Sequence, residues 1–361
     1  MSLHPEQNIL LVWNRMGDYH RARWNTLQSK WTSGKVHASD LGAGDSLYQW
    51  ENTGGDDYVC LSDQSLDQPD LWIRFRNFKK YLRDKQISTV CIPGYGRKEY
   101  VLFLIWCKWK NIKVILFAES WYGKNPIVNR LKSVFLKWVC QRYFVSGINA
   151  EKHFHEQLKI PKEQIRKGYS VVDNDHFGSD QPIKSQKILL CVARFSEEKN
   201  HQLLFDAFLQ SKLSEHWILN CVGAGPLLEP FQELQKQHLD KIKIEPWASY
   251  DQLPAIYQKA SAFILPSTFE PWGLVVNEAM AAGLPIIATN VCGCVPDLIK
   301  GNGWVFNPTD KDQLVRIFNQ MHKMSHKELE EKGMKSKEII CQFDPGLWAD
   351  HIIKLNRDGV T

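Results

Sequence analysis

The sequence lacks several features that would place the chain in a specialised class. It contains no run of about 18 apolar residues, which predicts that no helix spans a membrane. Residues 1–16 carry neither a basic segment nor a long apolar segment, so we expect no secretory signal. Low-complexity segments and short repeats are also absent. These absences exclude membrane-spanning, fibrous and repeat architectures and leave a globular protein.

Disulfide-like spacing is missing as well, although nine cysteines are scattered along the chain. This distribution is typical of a reducing compartment and predicts a cytoplasmic location, with peripheral attachment to the inner face of the membrane as an alternative. Cys292 and Cys294 stand at a spacing that invites a zinc interpretation. No second ligand pair follows at a sensible distance, so we expect no metal.

The alternation of elements predicts the fold class. The chain has 361 residues and is 43% hydrophobic, which suits about two domains. Short apolar runs alternate with helical patterns throughout, and continuous apolar strands are typical of parallel sheets covered on both faces. We therefore predict an α/β protein with two Rossmann-like, doubly wound domains that face each other across a cleft.

The predicted strands and helices can be given by number. The strands are 8–13, 57–62, 89–93, 113–118, 142–147, 187–193, 217–223, 241–247, 262–267, 285–289 and 303–307. The helices are 20–31, 126–140, 199–212, 226–238, 251–260, 273–283 and 343–358.

The polar segment 178–186 separates the two runs of alternation and is predicted to be the domain linker. It divides the chain into a first domain over 1–180 and a second domain over 181–342. A terminal helix over 343–361 follows, which we place back on the N-terminal domain. Open α/β sheets bind ligands beyond the carboxyl ends of their strands, so the loops there are the candidate site.

The segment 269–287 places two acids around a predicted helix start. Glu270 precedes a Pro-Trp-Gly turn, and Glu278 lies inside the helix. The amides of Gly273, Leu274 and Val275 would point out of that helix start and suit a phosphate or sugar hydroxyls. The alternatives are that Glu270 caps the helix and that Glu278 is a surface residue. The apolar residues around Glu278 weaken the surface alternative.

Two cations flank the start of another predicted helix. Arg194 and Lys199 follow the first strand of the second half, and an Arg fork beside a Lys point charge suits a diphosphate. The alternative is a structural ion pair with Glu197 or Glu198. Gly223 and Gly225 follow the next strand, where glycine permits close approach of a ligand to the backbone. Trp247 ends a third predicted strand and either packs in the core or meets a ligand.

Together these motifs resemble the signature of family 4 retaining glycosyltransferases, the group 1 glycosyl transferases, which have the GT-B fold. The resemblance rests on the two acids with seven residues between them, their apolar flanks and the Arg and Lys of the first loop. It implies that Glu270 lies near the donor sugar, that Glu278 binds the ribose, and that Arg194 and Lys199 bind the diphosphate.

The resemblance also covers the remaining loops, more diffusely in the first half. It implies that Gly223, Gly225 and Trp247 lie along the nucleotide. Gly17 matches a loop that is usually richer in glycine, and Glu119 with Ser120 stands where many members have a His. His20, Arg21 and Arg23 either meet an anionic acceptor or are solvated helix residues. We assign Gly17 to the donor side and Glu119, Ser120 and His20 to the acceptor side.

A basic stretch with tryptophans occupies 101–142. It contains eight Lys or Arg residues and one acid, Glu119. Trp106, Trp109, Trp121 and Trp138 are interleaved with them. Such a face suits an anionic membrane or an anionic substrate, and the alternative is a solvated helix face beside a core helix.

The resemblance therefore implies that 1–180 is the acceptor-side domain and 181–342 the nucleotide-sugar-binding domain of a hexosyltransferase, which moves a sugar, with retention, from a nucleotide sugar to an acceptor hydroxyl. Because Arg194 and Lys199 could replace a metal ion at the diphosphate, we also expect metal independence. The donor implied is a UDP- or GDP-sugar, with no further cofactor. The acceptor expected is a glycan or a lipid-linked molecule in glycolipid or polysaccharide synthesis, and no nucleic acid is involved. Two alternatives stay open: another GT-B enzyme such as a nucleotide-sugar epimerase or phosphorylase, and a silent, membrane-attached binding protein.

Overall fold

A computed structural model describes residues 7–44, 55–123, 125–178 and 187–357. Contacts divide the chain into two compact units, Met1–Val171 with Pro345–Thr361, and Val172–Asp344. The terminal helix thus belongs to the first unit by its contacts. The predicted linker lies, apart from Gly178, outside the described residues, and so does the predicted boundary between 180 and 181.

The first unit contains a seven-stranded parallel sheet in the order β3-β2-β1-β4-β5-β6-β7. Its strands are β1 Asn8–Trp13, β2 Val36–Asp40, β3 Tyr58–Cys60, β4 Ile87–Pro93, β5 Lys113–Ala118, β6 Arg142–Val145 and β7 Ile165–Lys167. All six residues of β1 are buried, because neighbouring strands flank it on both sides and helices cover the sheet.

The second unit contains a six-stranded parallel sheet in the order β10-β9-β8-β11-β12-β13. Its strands are β8 Ile188–Val192, β9 Ile218–Val222, β10 Ile242–Glu245, β11 Ala262–Leu265, β12 Ile286–Thr289 and β13 Gly303–Phe306. The strand order reverses at the first strand of each sheet, which makes both sheets doubly wound and Rossmann-like. The predicted pair of α/β domains is confirmed.

The described residues form fourteen α-helices, most of which connect successive strands. They are α1 Asp18–Lys30, α2 Leu71–Asp84, α3 Lys98–Trp109, α4 Pro126–Val139, α5 Ile148–Lys152, α6 Asn174–Phe177, α7 His201–Gln210, α8 Leu228–Gln237, α9 Leu253–Tyr257, α10 Leu274–Ala281, α11 Val295–Leu298, α12 Lys311–His322, α13 His326–Ile340 and α14 Pro345–Arg357. None of these described helices combines the length and the apolar content that a bilayer crossing requires.

Two strands that the sequence reading did not predict, β2 and β7, complete the first sheet. The β2 sequence, Val-His-Ala-Ser-Asp, has three polar residues in five and so lacks the continuous apolar run by which the other strands were predicted, yet all five residues are buried. Burial of Asp40 is offset by Arg15, whose Nη1 lies 3.6 Å from the carboxylate, and by the hydroxyl of Tyr58, which donates to it over 2.9 Å. Tertiary contacts from distant positions therefore override the local pattern.

Candidate active site at the carboxyl edge of the second sheet

The candidate site of the second unit lies where its strand order reverses. β8 pairs with β9 on one side and with β11 on the other, although β9 and β10 separate β8 from β11 in the chain. The loops 193–200 and 266–273 leave these two neighbouring strands at the same edge. Doubly wound sheets bind ligands in the crevice that such diverging loops leave open.

An ion pair joins the two loops. Nζ of Lys199 lies 2.5 Å from Oε2 of Glu270, and the side chains are 18% and 12% exposed. The pair decides between two alternatives for these residues. Glu270 faces a cation of the neighbouring loop, while Gly273 is the residue that caps α10. Lys199 pairs with Glu270 and not with Glu197 or Glu198.

Arg194 stands beside this pair and is exposed. Its side chain has no hydrogen bond or ion pair with another described residue, so its guanidinium remains available to an anion. Glu198 is close enough for Arg194 and Lys199 to lower its pKa, but the hydroxyl of Ser196, 2.6 Å from its Oε1, contributes more to this shift. The two predicted cations thus lie in this loop, where Arg194 is exposed and Lys199 forms an ion pair with Glu270.

Backbone hydrogen bonds hold the loop 266–273 on both sides. The amide of Thr268 donates to the carbonyl of Glu198 over 2.8 Å, and the amide of Gly293 donates to the carbonyl of Glu270 over 3.0 Å. Nε1 of the buried Trp272 donates to Oδ1 of Asn277 over 2.9 Å. The carboxylate of Glu270 therefore projects from a fixed backbone.

α10 starts directly behind Glu270. Gly273 adopts φ +98°, and a Cβ there would lie 3.0 Å from Cδ2 of Leu265 and 3.2 Å from Cγ of Glu270. Both the left-handed backbone and the close contacts therefore require glycine. Helix geometry leaves the amides of the first turn, at Leu274 and Val275, without intrahelical acceptors. A positive helix end thus lies next to the acid.

Glu278 is wholly buried, at 0% exposure, so the surface alternative for this residue is wrong. The hydroxyl of Tyr257 donates to its Oε2 over 2.7 Å, and Tyr257 packs edge-on against Phe177 with 5.9 Å between ring centroids. A ribose hydroxyl can reach this carboxylate only after the side chains that cover it move. The ribose role of Glu278 stays a prediction.

Gly223 and Gly225 bring two loops together. A Cβ at Gly223 would lie 2.0 Å from the carbonyl oxygen of Ala193, and one at Gly225 would lie 2.4 Å from that of Phe195. The amide of Phe195 donates to the carbonyl of Ala224 over 2.9 Å. The contact between the loops after β8 and β9 therefore explains both glycines, and a ligand is not needed to explain them.

Trp247 is exposed, whereas Cys292 and Cys294 are buried. Trp247 is 53% exposed, so the core-packing alternative for it is wrong, and its ring is open to a planar ligand. Cys292 and Cys294 are buried, and burial raises the pKa of the Cys292 thiol to about 12. A protonated thiol is a poor ligand for zinc, because the metal binds the thiolate.

In the first unit, Gly17 and His20 form the start of α1. The amide of Gly17 donates to Nδ1 of His20 over 3.2 Å, and the imidazole stacks on Trp13 with 4.7 Å between centroids. Burial, together with the charge of Arg23, holds the pKa of His20 well below its usual value. A neutral ring is also what this hydrogen bond requires, since Nδ1 accepts.

Glu119 accepts a hydrogen bond from the hydroxyl of Ser170 over 2.6 Å. Nearby, Arg23 is 2% exposed, donates to the carbonyl of Val171 over 2.6 Å, and lies 5.1 Å from the ring centre of Tyr169. Arg23 is therefore buried, and the expectation of a solvated helix residue is wrong for it. Ser120, beside Glu119, is half-buried.

The sequence reading assigned the site residues singly and missed how they are paired. Neither the contact between Lys199 and Glu270 nor that between Tyr257 and Glu278 was expected. Asn200, in a left-handed conformation with φ +55°, was also missed; its Nδ2 donates to the carbonyls of Pro266 and Pro308. The only signal for Asn200 is its type, because Asn tolerates this conformation better than other side chains.

Known proteins resemble both the sequence and the fold. Residues 173–337 match the family model described as glycosyl transferases group 1. The sulfoquinovosyl transferase SQD2 of Arabidopsis thaliana is 30% identical over 215 residues, which are 56% of this chain and 37% of that protein. Leading curated relatives are matched over about a third to a half of their length.

Solved structures match almost the whole chain. Sucrose-phosphate synthase from Thermosynechococcus elongatus superposes with a TM-score of 0.76 at 18% identity, covering 97% of this chain and 98% of that one. The Anabaena protein HepE, solved in complex with UDP, gives a TM-score of 0.73 at 15% identity, covering 96% and 98%. At such identities the likeness concerns the fold, which is GT-B.

Proposed function

We propose that the protein transfers a sugar from a nucleotide sugar to an acceptor hydroxyl, from the premise that residues 173–337 match the family model of the group 1 glycosyl transferases. The observation that carries the proposal is the ion pair between Lys199 and Glu270, with the exposed Arg194 beside it. A cation, an acid and a helix start at one switch point suit a ligand that carries both a diphosphate and a sugar.

Arg194 and Lys199 are proposed to bind the diphosphate. The leaving group gains negative charge as the glycosidic bond breaks, and fixed cations stabilise that charge without reorganisation. The ion pair with Glu270 already holds the ammonium group of Lys199 at the site, so Lys199 can bind the diphosphate without a large movement. The amides of Leu274 and Val275 add a partial positive charge on the neighbouring loop.

Glu270 is proposed to act on the donor sugar once Lys199 turns to the phosphate. Its carboxylate then accepts hydrogen bonds from sugar hydroxyls or stabilises positive charge at the anomeric carbon. Glu278 is proposed to bind the ribose after Tyr257 moves aside. Trp247, with its exposed ring, is the proposed contact for the nucleotide base.

The finer parts of the proposal concern the substrates. We infer a UDP- or GDP-sugar as donor, and the solved complex of HepE with UDP supports UDP as the first choice to test. Retention of configuration and independence from metal ions are part of the proposal. So are a glycan or lipid-linked acceptor, a cytoplasmic location and roles for His20, Glu119 and Ser120 on the acceptor side.

A donor panel tests the function. Calorimetric titration of UDP, GDP and their glucose, galactose and mannose conjugates identifies the base, and transfer is then assayed with and without a chelator. We expect R194A/K199A to lower the transfer rate by at least about 100-fold, since one lost electrostatic contact to a transition state costs roughly that much. The control is Lys323→Ala, at an exposed cation of the same unit.

Three results would contradict the proposal. Full transfer rates in the double variant would show that Arg194 and Lys199 do not take part in catalysis. Conversion of the donor without any acceptor would indicate an epimerase. Binding of a nucleotide sugar without turnover on any acceptor of a broad panel would indicate a silent binding protein.

A further inference from the structure

One exposed stripe of α4 is apolar. Ile127, Leu131, Val134 and Trp138 follow one another at intervals of four, three and four residues, so they share one side of the helix. They are 72%, 68%, 65% and 50% exposed. A helix of a globular protein normally turns such a stripe toward the core. These four side chains form what we call the α4 stripe.

The opposite side of α4 is held against the unit partly by polar groups. Nδ2 of the buried Asn129 donates to the carbonyl of Gly123 over 2.7 Å, and the hydroxyl of the buried Ser133 donates to the carbonyl of Leu158 over 2.5 Å. Rotating the helix to hide the stripe would break both bonds and expose Leu136 and Val139, which are buried. The outward orientation of the stripe is therefore fixed by the structure.

The surroundings of the α4 stripe are basic. Between Glu119 and Glu151 the sequence contains five Lys or Arg residues and no Asp or Glu. Arg130 and Lys137 flank the stripe along one side, seven residues apart and both exposed. Apolar side chains bordered by cations on a helix are typical of helices that lie in the interface of an anionic bilayer.

A groove beside the α4 stripe has the chemistry of a lipid headgroup site. Its volume is about 650 Å³, and Arg130, Val134, Lys137 and Lys159 line it. Asn129 also lines it, is only 6% exposed, and its Oδ1 has no hydrogen-bond partner among the described residues. Three cations in one groove suit a phosphate.

We propose that α4 binds an anionic glycerophospholipid membrane. The α4 stripe enters the interface between headgroups and acyl chains, while the cations of the groove hold the phosphate of one headgroup, as in phosphatidylglycerol. A protein partner is the less favoured occupant, because the cations require an extended anionic surface beside the apolar one. The proposal concerns the first unit and does not depend on the transferase activity.

Co-sedimentation of the full chain with lipid vesicles tests the proposal. We expect binding to vesicles that contain phosphatidylglycerol, much weaker binding to pure phosphatidylcholine vesicles, and a fall in binding as salt is raised. Leu131→Gln should weaken binding about tenfold, because it removes buried apolar area from the interface. Its matched control is Leu239→Gln, which changes a leucine of similar exposure, 72%, in the second unit.

The cations are tested separately. R130Q/K137Q should weaken binding to the anionic vesicles about 25-fold, since each cation at a membrane surface contributes roughly fivefold. The control K323Q/K327Q removes two exposed cations of the second unit and should leave binding unchanged. Circular dichroism confirms that all variants are folded, as expected for exposed positions.

Two outcomes would overturn the proposal. Equal binding of the wild type and L131Q to anionic vesicles would mean that the α4 stripe does not enter the membrane. A dimer in sedimentation velocity that L131Q converts to monomer, without vesicle binding by the wild type, would show that the stripe is covered by a second copy of the chain.

Discussion

The first and second units each place a pair of opposite charges at the carboxyl edge of the sheet, with the cation after the first strand, but the two pairs differ in exposure. In the first unit Arg15 follows β1 and Asp40 ends β2, and their side chains are 3% and 2% exposed. In the second unit Lys199 follows β8 and Glu270 follows β11, and their side chains are 18% and 12% exposed. The first pair is part of the interior, whereas water reaches the second.

This difference teaches what each pair is suited to do. Burying two charges costs several kcal/mol of desolvation for each ion, and only mutual attraction and further hydrogen bonds offset that cost. Arg15 has such a bond, since its Nη1 donates to the carbonyl of Gly42 over 3.0 Å. A pair of this kind cannot exchange partners. Lys199 and Glu270 keep solvent contact, so a ligand can take the place of either partner.

The largest change in stability is expected from breaking the buried ion pair between Arg15 and Asp40. Arg15→Met leaves the carboxylate of Asp40 buried without its cation and should destabilise the first unit by about 3 kcal/mol. Peptide-resolved hydrogen exchange is the suitable measurement, because it reports on each unit separately. Peptides of β1 and β2 should exchange faster, while those of β8 and β9 stay protected.

A second substitution sharpens this result. R15M/D40N removes both charges and should recover part of the lost protection, because no unpaired ion remains in the interior. Equal destabilisation by the single and the double variant would mean that the packing of Arg15, and not its charge, supports the sheet.

Close backbone contacts join the loops in both units, and the closest one is in the second unit. In the first unit a Cβ at Gly42 would lie 2.7 Å from the carbonyl oxygen of Gln64. In the second unit Gly223 permits an approach that a Cβ would block at 2.0 Å from the carbonyl oxygen of Ala193. At Gly223, the size of a substituted side chain should therefore affect stability more than its charge.

Gly223→Ala is the next largest change. The added methyl group meets backbone, which cannot turn aside as a flexible side chain can, so the second unit should lose about 2 kcal/mol. Gly96→Ala is the matched control, because a Cβ there has no heavy atom within 4 Å. Hydrogen exchange should speed up in the peptides of β8 and β9 for the first variant only. An unchanged G223A would show that the two loops separate at little cost.

The sequence predicted much of the architecture, and the reason is the parallel sheet itself. Buried parallel strands are continuous apolar runs, so β1, β5 and β8 were recognisable within one residue of their observed bounds. β2 was missed because its His, Ser and Asp are buried through contacts with residues far away in the chain. Local pattern does not report such long-range compensation.

The candidate site shows the same limit. Residue types and spacing were enough to single out Glu270, Lys199 and Arg194. That Lys199 pairs with Glu270 and not with its chain neighbours depends on β8 lying beside β11, which is a property of the strand order. The full burial of Glu278 under Tyr257 likewise follows from the packing of α9 and α10, and no spacing within either helix predicts it.

The smallest change in stability is expected at the charged pair of the second unit, and this prediction completes the comparison. Lys199→Gln leaves Glu270 in contact with water, which solvates the carboxylate in place of the ammonium group. The free energy of unfolding of the second unit should therefore fall by less than about 1 kcal/mol, the range of ion pairs that solvent reaches. Hydrogen exchange of the peptides that contain β8 and α7 measures this change in stability.

Glu270→Gln should lower the stability equally little, and K199Q/E270Q should be no less stable than either single variant, because the pair contributes little to folding. If K199Q instead opened these peptides as widely as R15M opens β1 and β2, the pair would be a structural element of the second sheet. An exchangeable contact held ready for a ligand has to be nearly neutral for stability, since the free energy that binds Lys199 to Glu270 must be recovered when a diphosphate replaces the carboxylate.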